Sequence, residues 1–175
     1  GVEAHIEEES RCFRARRGVV LASGGFVSNE EMLRRHAPEL LRCGRPIAAE
    51  TSDDGLGIQM GMAAGGEAIR MGSACIVLGF AYGNRKNIRG ILVNGQGQRY
   101  VNEDVYQSLH GEIALLRQNG DVYLIVDDQI YERPFPPTEF AAVGETIEEL
   151  ERELGMPTGS LQNTVELYNQ GAQDG

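Results

Sequence analysis

Apolar and polar positions alternate from the start: Val2, Ala4 and Ile6 fall on one side of an extended chain, which predicts a strand. The polar run Glu7-Glu8-Glu9-Ser10 breaks it, and a polar-rich stretch follows from Cys12 to Arg17. Val19-Val20-Leu21-Ala22, closed by Ser23-Gly24-Gly25, predicts a buried strand running into a glycine turn. Ser28 and Glu31 have the spacing of a capping box and predict a helix that starts about Asn29 and stops before Pro38. Residues 39–54 show no period and contain Gly44 and Pro46, the pattern of a connecting loop.

Asp53 or Asp54 can cap the next helix, in which Ile58, Met62 and Ala63 share a side and which Gly65-Gly66 ends. Gly57 and Gly61 within it each cost about 1 kcal/mol relative to alanine, which points to close packing or a nearby ligand. Two β-prone runs flank Asn94-Gly95 between Ile91 and Val101, predicting a hairpin. Residues 104–118 predict a helix with Val105, Leu109, Ile113 and Leu116 near one stripe, ended by Asn119-Gly120, and a strand follows from Val122 to Val126. Thr146 with Glu149 is a second capping box, whose helix closes at Gly155 and Pro157. A last helix from Ser160 to Gln170 turns Leu161, Val165 and Tyr168 inward. The pattern describes an α+β fold, a mixed sheet with packed helices, and shows no internal repeat.

Composition narrows the function. With 175 residues, 41% apolar and 24% charged, the chain is long enough for a core and ordinary for a globular protein. Sixteen basic against 26 acidic residues give a net charge of −10, which disfavours a nucleic-acid partner. Only Arg11, Arg14, Arg16 and Arg17 gather, as a solvated face. No apolar run reaches the ~18 residues of a membrane span, and the acidic opening is unlike a signal peptide. Cys12, Cys43 and Cys75 share no CxxC spacing, so neither a disulfide framework nor zinc is expected, and a reducing cytoplasm fits best. Glycine occupies 23 positions, nearly twice the usual ~7%, and marks tight turns or close backbone approaches.

The chemical candidates are few. Gly55-Leu56-Gly57-Ile58-Gln59-Met60-Gly61 approximates a dinucleotide fingerprint but follows Glu50-Thr51-Ser52-Asp53-Asp54, where a phosphate loop needs a buried strand. His5, His36 and His110 lack metal spacing and are expected at the surface or in structural roles, so no metal site is expected. Asp127-Asp128 fits the start of a helix better than a metal or acid–base pair, since adjacent residues point apart. Tyr106, after Asn102-Glu103-Asp104, sits where the predicted hairpin meets a helix, and its position is compatible with packing or with proton transfer.

Read in order, the motifs resemble a family. Val19-Val20-Leu21-Ala22-Ser23-Gly24-Gly25-Phe26 is similar to the VVLATGGF segment of the FAD-dependent fumarate reductase, succinate dehydrogenase and 3-ketosteroid dehydrogenase superfamily, with Ser23 in place of threonine. Ser52-Asp53-Asp54-Gly55-Leu56-Gly57-Ile58 resembles its TGDG.GI segment. Gly90-Ile91-Leu92-Val93-Asn94 with Gly97-Gln98-Arg99-Tyr100-Val101-Asn102-Glu103 resembles its GILVN..G.RFVNE. The stretch from Leu154-Gly155-Met156-Pro157 through Leu161, Thr164-Val165 and Tyr168-Asn169 resembles its closing helix.

The resemblance implies an FAD-dependent enzyme of which this chain is the middle. Residues 1–28 would end a segment of the FAD-binding domain, 29–152 would form the cap or catalytic domain, and 153–175 would lead back. The missing N- and C-terminal FAD-domain segments would carry the diphosphate and ring contacts, leaving the isolated chain inactive or a purely structural module. It implies that Ala22, Ser23, Gly24 and Gly25, together with Asp54 and Gly55, approach the FAD. The arginine and histidine with which fumarate and succinate enzymes grip a dicarboxylate are replaced by Val105-Tyr106-Gln107-Ser108 and by the apolar Cys75-Ile76-Val77-Leu78-Gly79-Phe80. Without cationic partners a buried dicarboxylate is uncompensated. Val101-Asn102-Glu103-Asp104, with Tyr106 close behind, instead resembles the VNED-and-tyrosine stretch of the 3-ketosteroid Δ4(5α)-dehydrogenases. That subclass implies α,β-dehydrogenation of a small apolar ketone, with hydride leaving for the flavin and Tyr106 as base or proton relay. Reduction of an enoate is the alternative, for which Arg85, Arg89 or Arg99 would have to hold the acid.

Overall fold

The computed structural model describes residues 1–43, 53–79, 89–132 and 139–174. They form two compact units, Gly1–Ser73 and Ala74–Gly175. Helices combine with two small sheets, each an antiparallel pair, so the α+β class holds while no parallel pairing of a mixed sheet occurs among the described residues.

In the first unit β1 (Val2–Ile6) pairs with β2 (Glu9–Phe13) in the register Val2↔Phe13 to Ile6↔Glu9. The second strand was hidden in the sequence because its residues are exposed throughout and carry no alternation. Glu7, at φ +58°, makes the reversal between them. The expected strand Val19–Ala22 is a correction: residues 18–26 are irregular and Val20 is 91% exposed. An apolar run becomes a strand only when a neighbour pairs with its backbone, and none of the described residues does so.

Helix α1 (Glu30–His36) starts one residue later than the Ser28 box implies. Asn29 is the cap, its side-chain oxygen accepting from Met32 N at 3.0 Å, while Ser28 N donates to Asp53 O at 2.9 Å. A short 3-10 turn, Pro38–Arg42, occupies the start of the expected loop, and residues 44–52 of that loop lie outside the described residues. Helix α2 (Leu56–Ala63) follows Gly55, which takes the left-handed conformation at φ +80°.

The second unit is built on β3 (Ile91–Asn94), whose partner is β4 (Val122–Ile125), in the register Ile91↔Ile125 to Asn94↔Val122. The expected hairpin within 91–101 is present in a short form on the other edge of β3: Asn94 N donates to Gln98 O at 2.9 Å and Tyr100 N to Leu92 O at 3.3 Å around the bridge Val93↔Arg99, though the positive φ falls on Gly97 rather than Gly95. Asn94 holds that turn itself, its side-chain oxygen accepting from Gln96 N and Gln98 N at 3.0 Å each.

Helix α3 (Gln107–Arg117) starts three residues later than expected and buries His110, Gly111, Ala114 and Leu115, while Leu109 and Leu116 of the predicted stripe are exposed. Small residues face inward because the Ile76 carbonyl lies where a Cβ at Gly111 would stand. Helix α4 (Ile147–Glu153) is capped by Thr146, and α5 (Ser160–Asp174) runs longer than its sequence signal. Leu161, Val165 and Tyr168 turn inward as expected, joining Ile91, Val93 and Met156 in a core in which Val93 and Leu161 have no exposed surface.

Candidate functional site

The sequence singles out residues in both units. In the first, the 22–26 turn meets the 53–57 turn. Gly55 N donates to Gly25 O at 2.9 Å, and Asn29 Nδ2 donates to Asp54 O at 2.8 Å, so α1 holds both strands of this junction. Glycine is required at two of these positions. Gly24 has φ +83°, and a Cβ there would overlap the Asp53 carboxylate. A Cβ at Gly57 would overlap the Ser23 hydroxyl, which answers the close-packing expectation for that glycine. The dinucleotide-like glycines thus fit α2 against residues 21–26 of the same unit, Gly61 lying over Leu21.

Of the predicted cofactor residues, Ser23, Gly24, Gly25, Asp54 and Gly55 are brought together here, with Ala22 at the rim. The amides of Ser23, Gly24 and Gly25 are exposed and donate to no partner among the described residues, and a Cβ at Gly25 would meet nothing within 4 Å. Asp54 is exposed and turns one carboxylate oxygen to Leu56 N at 2.9 Å, capping α2. Asp53 and Asn29 are the structural partners that sequence reasoning underused. Asn29 stands three residues before Met32, the spacing that identifies a cap.

In the second unit Tyr106 is the residue before α3 and is 76% exposed, so it packs little against the described residues. The turn that presents it is heavily braced. Glu103 is 3% exposed and accepts from Leu92 N at 2.9 Å and from Arg99 Nε at 3.0 Å, with the Arg99 Nη2 closing the pair. Burial raises the Glu103 carboxyl, but Arg99 and the Leu92 amide outweigh it and hold it below the ordinary value. Arg99 also donates to Asn102 Oδ1 at 3.0 Å and lies 5.1 Å from the centre of the Tyr168 ring. Tyr100 beside it is pushed up to about 12 by burial and by the Glu103 charge.

The remaining candidates have structural places. Asp127 accepts from Gln129 N and Ile130 N at 3.1 and 3.0 Å in a single turn, so the helix expected to start at Asp127-Asp128 does not form. His5 is at the surface, where it meets Ser10 in the β1–β2 pair, and His110 is buried in α3. Cys12, Cys43 and Cys75 are free thiols. Arg89 is exposed, and Arg85 and Phe80 lie outside the described residues. No described helix is long and apolar enough to cross a membrane.

A family model described as an FAD binding domain matches residues 1–175. A solved structure of 3-ketosteroid-Δ4-(5α)-dehydrogenase from Rhodococcus jostii RHA1, in complex with 4-androstene-3,17-dione, superposes with a TM-score of 0.80. The two are 40% identical, over 98% of this chain and 36% of that one. NADH:acrylate oxidoreductase of Vibrio harveyi is 29% identical over 87% of this chain and 17% of its own length. The 3-oxosteroid 1-dehydrogenase of Mycolicibacterium smegmatis is 26% identical over 97% of this chain and 35% of its own length. The chain therefore spans between 17% and 36% of the length of these relatives.

Proposed function

This chain belongs to the family of FAD binding domains, and from that premise we propose that it forms part of an FAD-dependent dehydrogenase that desaturates a 3-ketosteroid-like ketone at its α and β carbons. Residues 1–28 are the end of an FAD-domain segment, 29–152 the cap or catalytic domain and 153–175 the return helix. FAD, when bound, supplies the hydride acceptor. The open amides at Ser23, Gly24 and Gly25 fit a cofactor that the backbone must approach closely, and Ala22, Asp54 and Gly55 border them. The three free thiols fit a reducing compartment, the cytoplasm.

The observation that carries the reading is Tyr106: a residue 76% exposed on a turn in which Glu103 is locked to Leu92 N and Arg99. An exposed tyrosine on a braced turn is placed to take the proton next to a ketone, provided the assembled site lowers its affinity for its own proton. The half-buried run Ile76-Val77-Leu78 offers apolar surface in the same unit, suited to a substrate without charge. The likeness to an acrylate oxidoreductase favours enoate reduction as the second reading. Against it, Arg99 is already committed to Glu103 and Asn102 and is not free to hold an acid.

The test uses the full-length flavoprotein that contains these residues, its visible flavin band followed without oxygen as a 3-ketosteroid is added. Bleaching in the wild type, lost in Tyr106→Phe, is expected. Absence of bleaching, with reoxidation of the reduced protein by acrylate or fumarate, overturns the reading in favour of enoate reduction.

A further inference from the structure

His110 has no part in that proposal, yet it is only 4% exposed and is aligned with the turn that carries Tyr106. Its Nε2 lies 3.1 Å from the Asn102 carbonyl oxygen. A carbonyl can only accept, so Nε2 carries the proton and donates. The same oxygen accepts from Val105 N at 3.4 Å, a long bond that closes the turn 102–105 only weakly. Tyr106 is the next residue, and its own carbonyl accepts from Leu109 N at 2.8 Å at the start of α3.

Two devices therefore hold the backbone from which the phenol projects. Glu103 ties the turn to β3 through Leu92 N. His110 ties it to α3, one helical turn beyond the tyrosine, and α3 is itself seated by Gly111 against the Ile76 carbonyl. The His110 Nδ1 is buried with no partner among the described residues, so the bond to the Asn102 carbonyl is the one hydrogen bond the ring makes there. We infer that His110 is a positioning residue for Tyr106, fixing the backbone from which the phenol projects by holding the Asn102 carbonyl.

The inference rests on the proposed role of Tyr106 for its catalytic consequence but not for its geometry, and two readouts separate them. The full-length flavoprotein is compared with His110→Leu, which removes the donor, and with His110→Gln, whose side-chain amide can restore an N–H near the same place. The first readout is the 19F resonance of Tyr106 in fluorotyrosine-substituted protein, assigned by its loss in Tyr106→Phe. His110→Leu should shift or broaden it, and His110→Gln should return it. The second is flavin reduction by 5α-androstane-3,17-dione, the saturated counterpart of the steroid bound by the Rhodococcus relative. A misplacement of about 1 Å costs up to ~100-fold, so kcat should fall ten- to a hundredfold in His110→Leu with KM within threefold, and recover in His110→Gln. An unchanged 19F resonance in His110→Leu, or failure of glutamine to restore it, overturns the inference whatever the activity. A restored resonance in a protein that no ketosteroid reduces sustains the positioning and removes only the dehydrogenase reading.

Discussion

The two units spend their polar groups in opposite ways. In residues 74–175 the buried carboxylates are saturated: Glu103 holds Arg99 and Leu92 N, and Glu151, 3% exposed, accepts from Gly159 N, Leu161 N and Gln162 N at 2.7, 2.6 and 3.1 Å. In residues 1–73 the turn at 22–25 leaves its amides open, and Val20, Leu56 and Met62 keep large apolar surfaces exposed. A region whose buried carboxylates are matched internally supplies a rigid mount. A region fitted together by glycines, with amides to spare, supplies a place for something else to bind.

The sharpest way to break this contrast is at the core of the mount. Leu161→Ala removes a side chain with no exposed surface and should cost about 3 kcal/mol in urea unfolding of the 1–175 chain; a cost under 1 kcal/mol would show that the second unit is not the rigid one. Next comes Glu151→Gln, expected to cost about 2 kcal/mol because one oxygen able to serve two amides is lost. Burial raises the Glu151 carboxyl, but the three amides prevail and hold it below its ordinary value. A carboxyl lowered in the fold contributes fully above the unfolded value of ~4.3 and is lost as pH falls through the folded one. Urea midpoints taken from pH 6 downward should therefore drop in the wild type and drop less in Glu151→Gln.

The glycine-fitted junction should respond more modestly. Gly24→Ala forces a Cβ at φ +83° against Asp53 and is expected to cost between about 1 and 2 kcal/mol, read as a lower thermal midpoint. The smallest effect belongs to Val20→Ser, within about 0.5 kcal/mol in the 1–175 chain because Val20 packs on so little. A larger loss there would mean that the apolar run is covered in solution, and sedimentation of the same sample would show whether copies of the chain cover one another.

How much of this was legible depended on whether the signal was local. The Thr146 cap, the inward Leu161, Val165 and Tyr168 and the helix around 107–117 follow from spacing, because cap and period act within a few residues. The pairing of β3 with β4 was missed because Asn94-Gly95 carries the local hairpin signature, while the true partner lies about 30 residues on and announces itself only as another apolar run. The inner face of α3 was misread for a related reason. A backbone carbonyl from Ile76 selects Gly111 and Ala114 over Leu109 and Leu116, and no periodicity records the approach of a distant strand of chain. Around the candidate site, the glycines and Tyr106 stand out by their motifs, whereas the neighbours Asn29 and His110 are defined by what they touch.

The notch formed by Gly111 against the Ile76 carbonyl has a consequence for how such a protein can diversify. Any larger residue at 111 would lift the helix, so drift at that position is closed, and with it any creep of α3 along its bed. The outward residues Leu109 and Leu116 meet no such constraint and are open to exchange. The helix's outer face can therefore be exchanged while the tyrosine five residues upstream of the notch keeps its place.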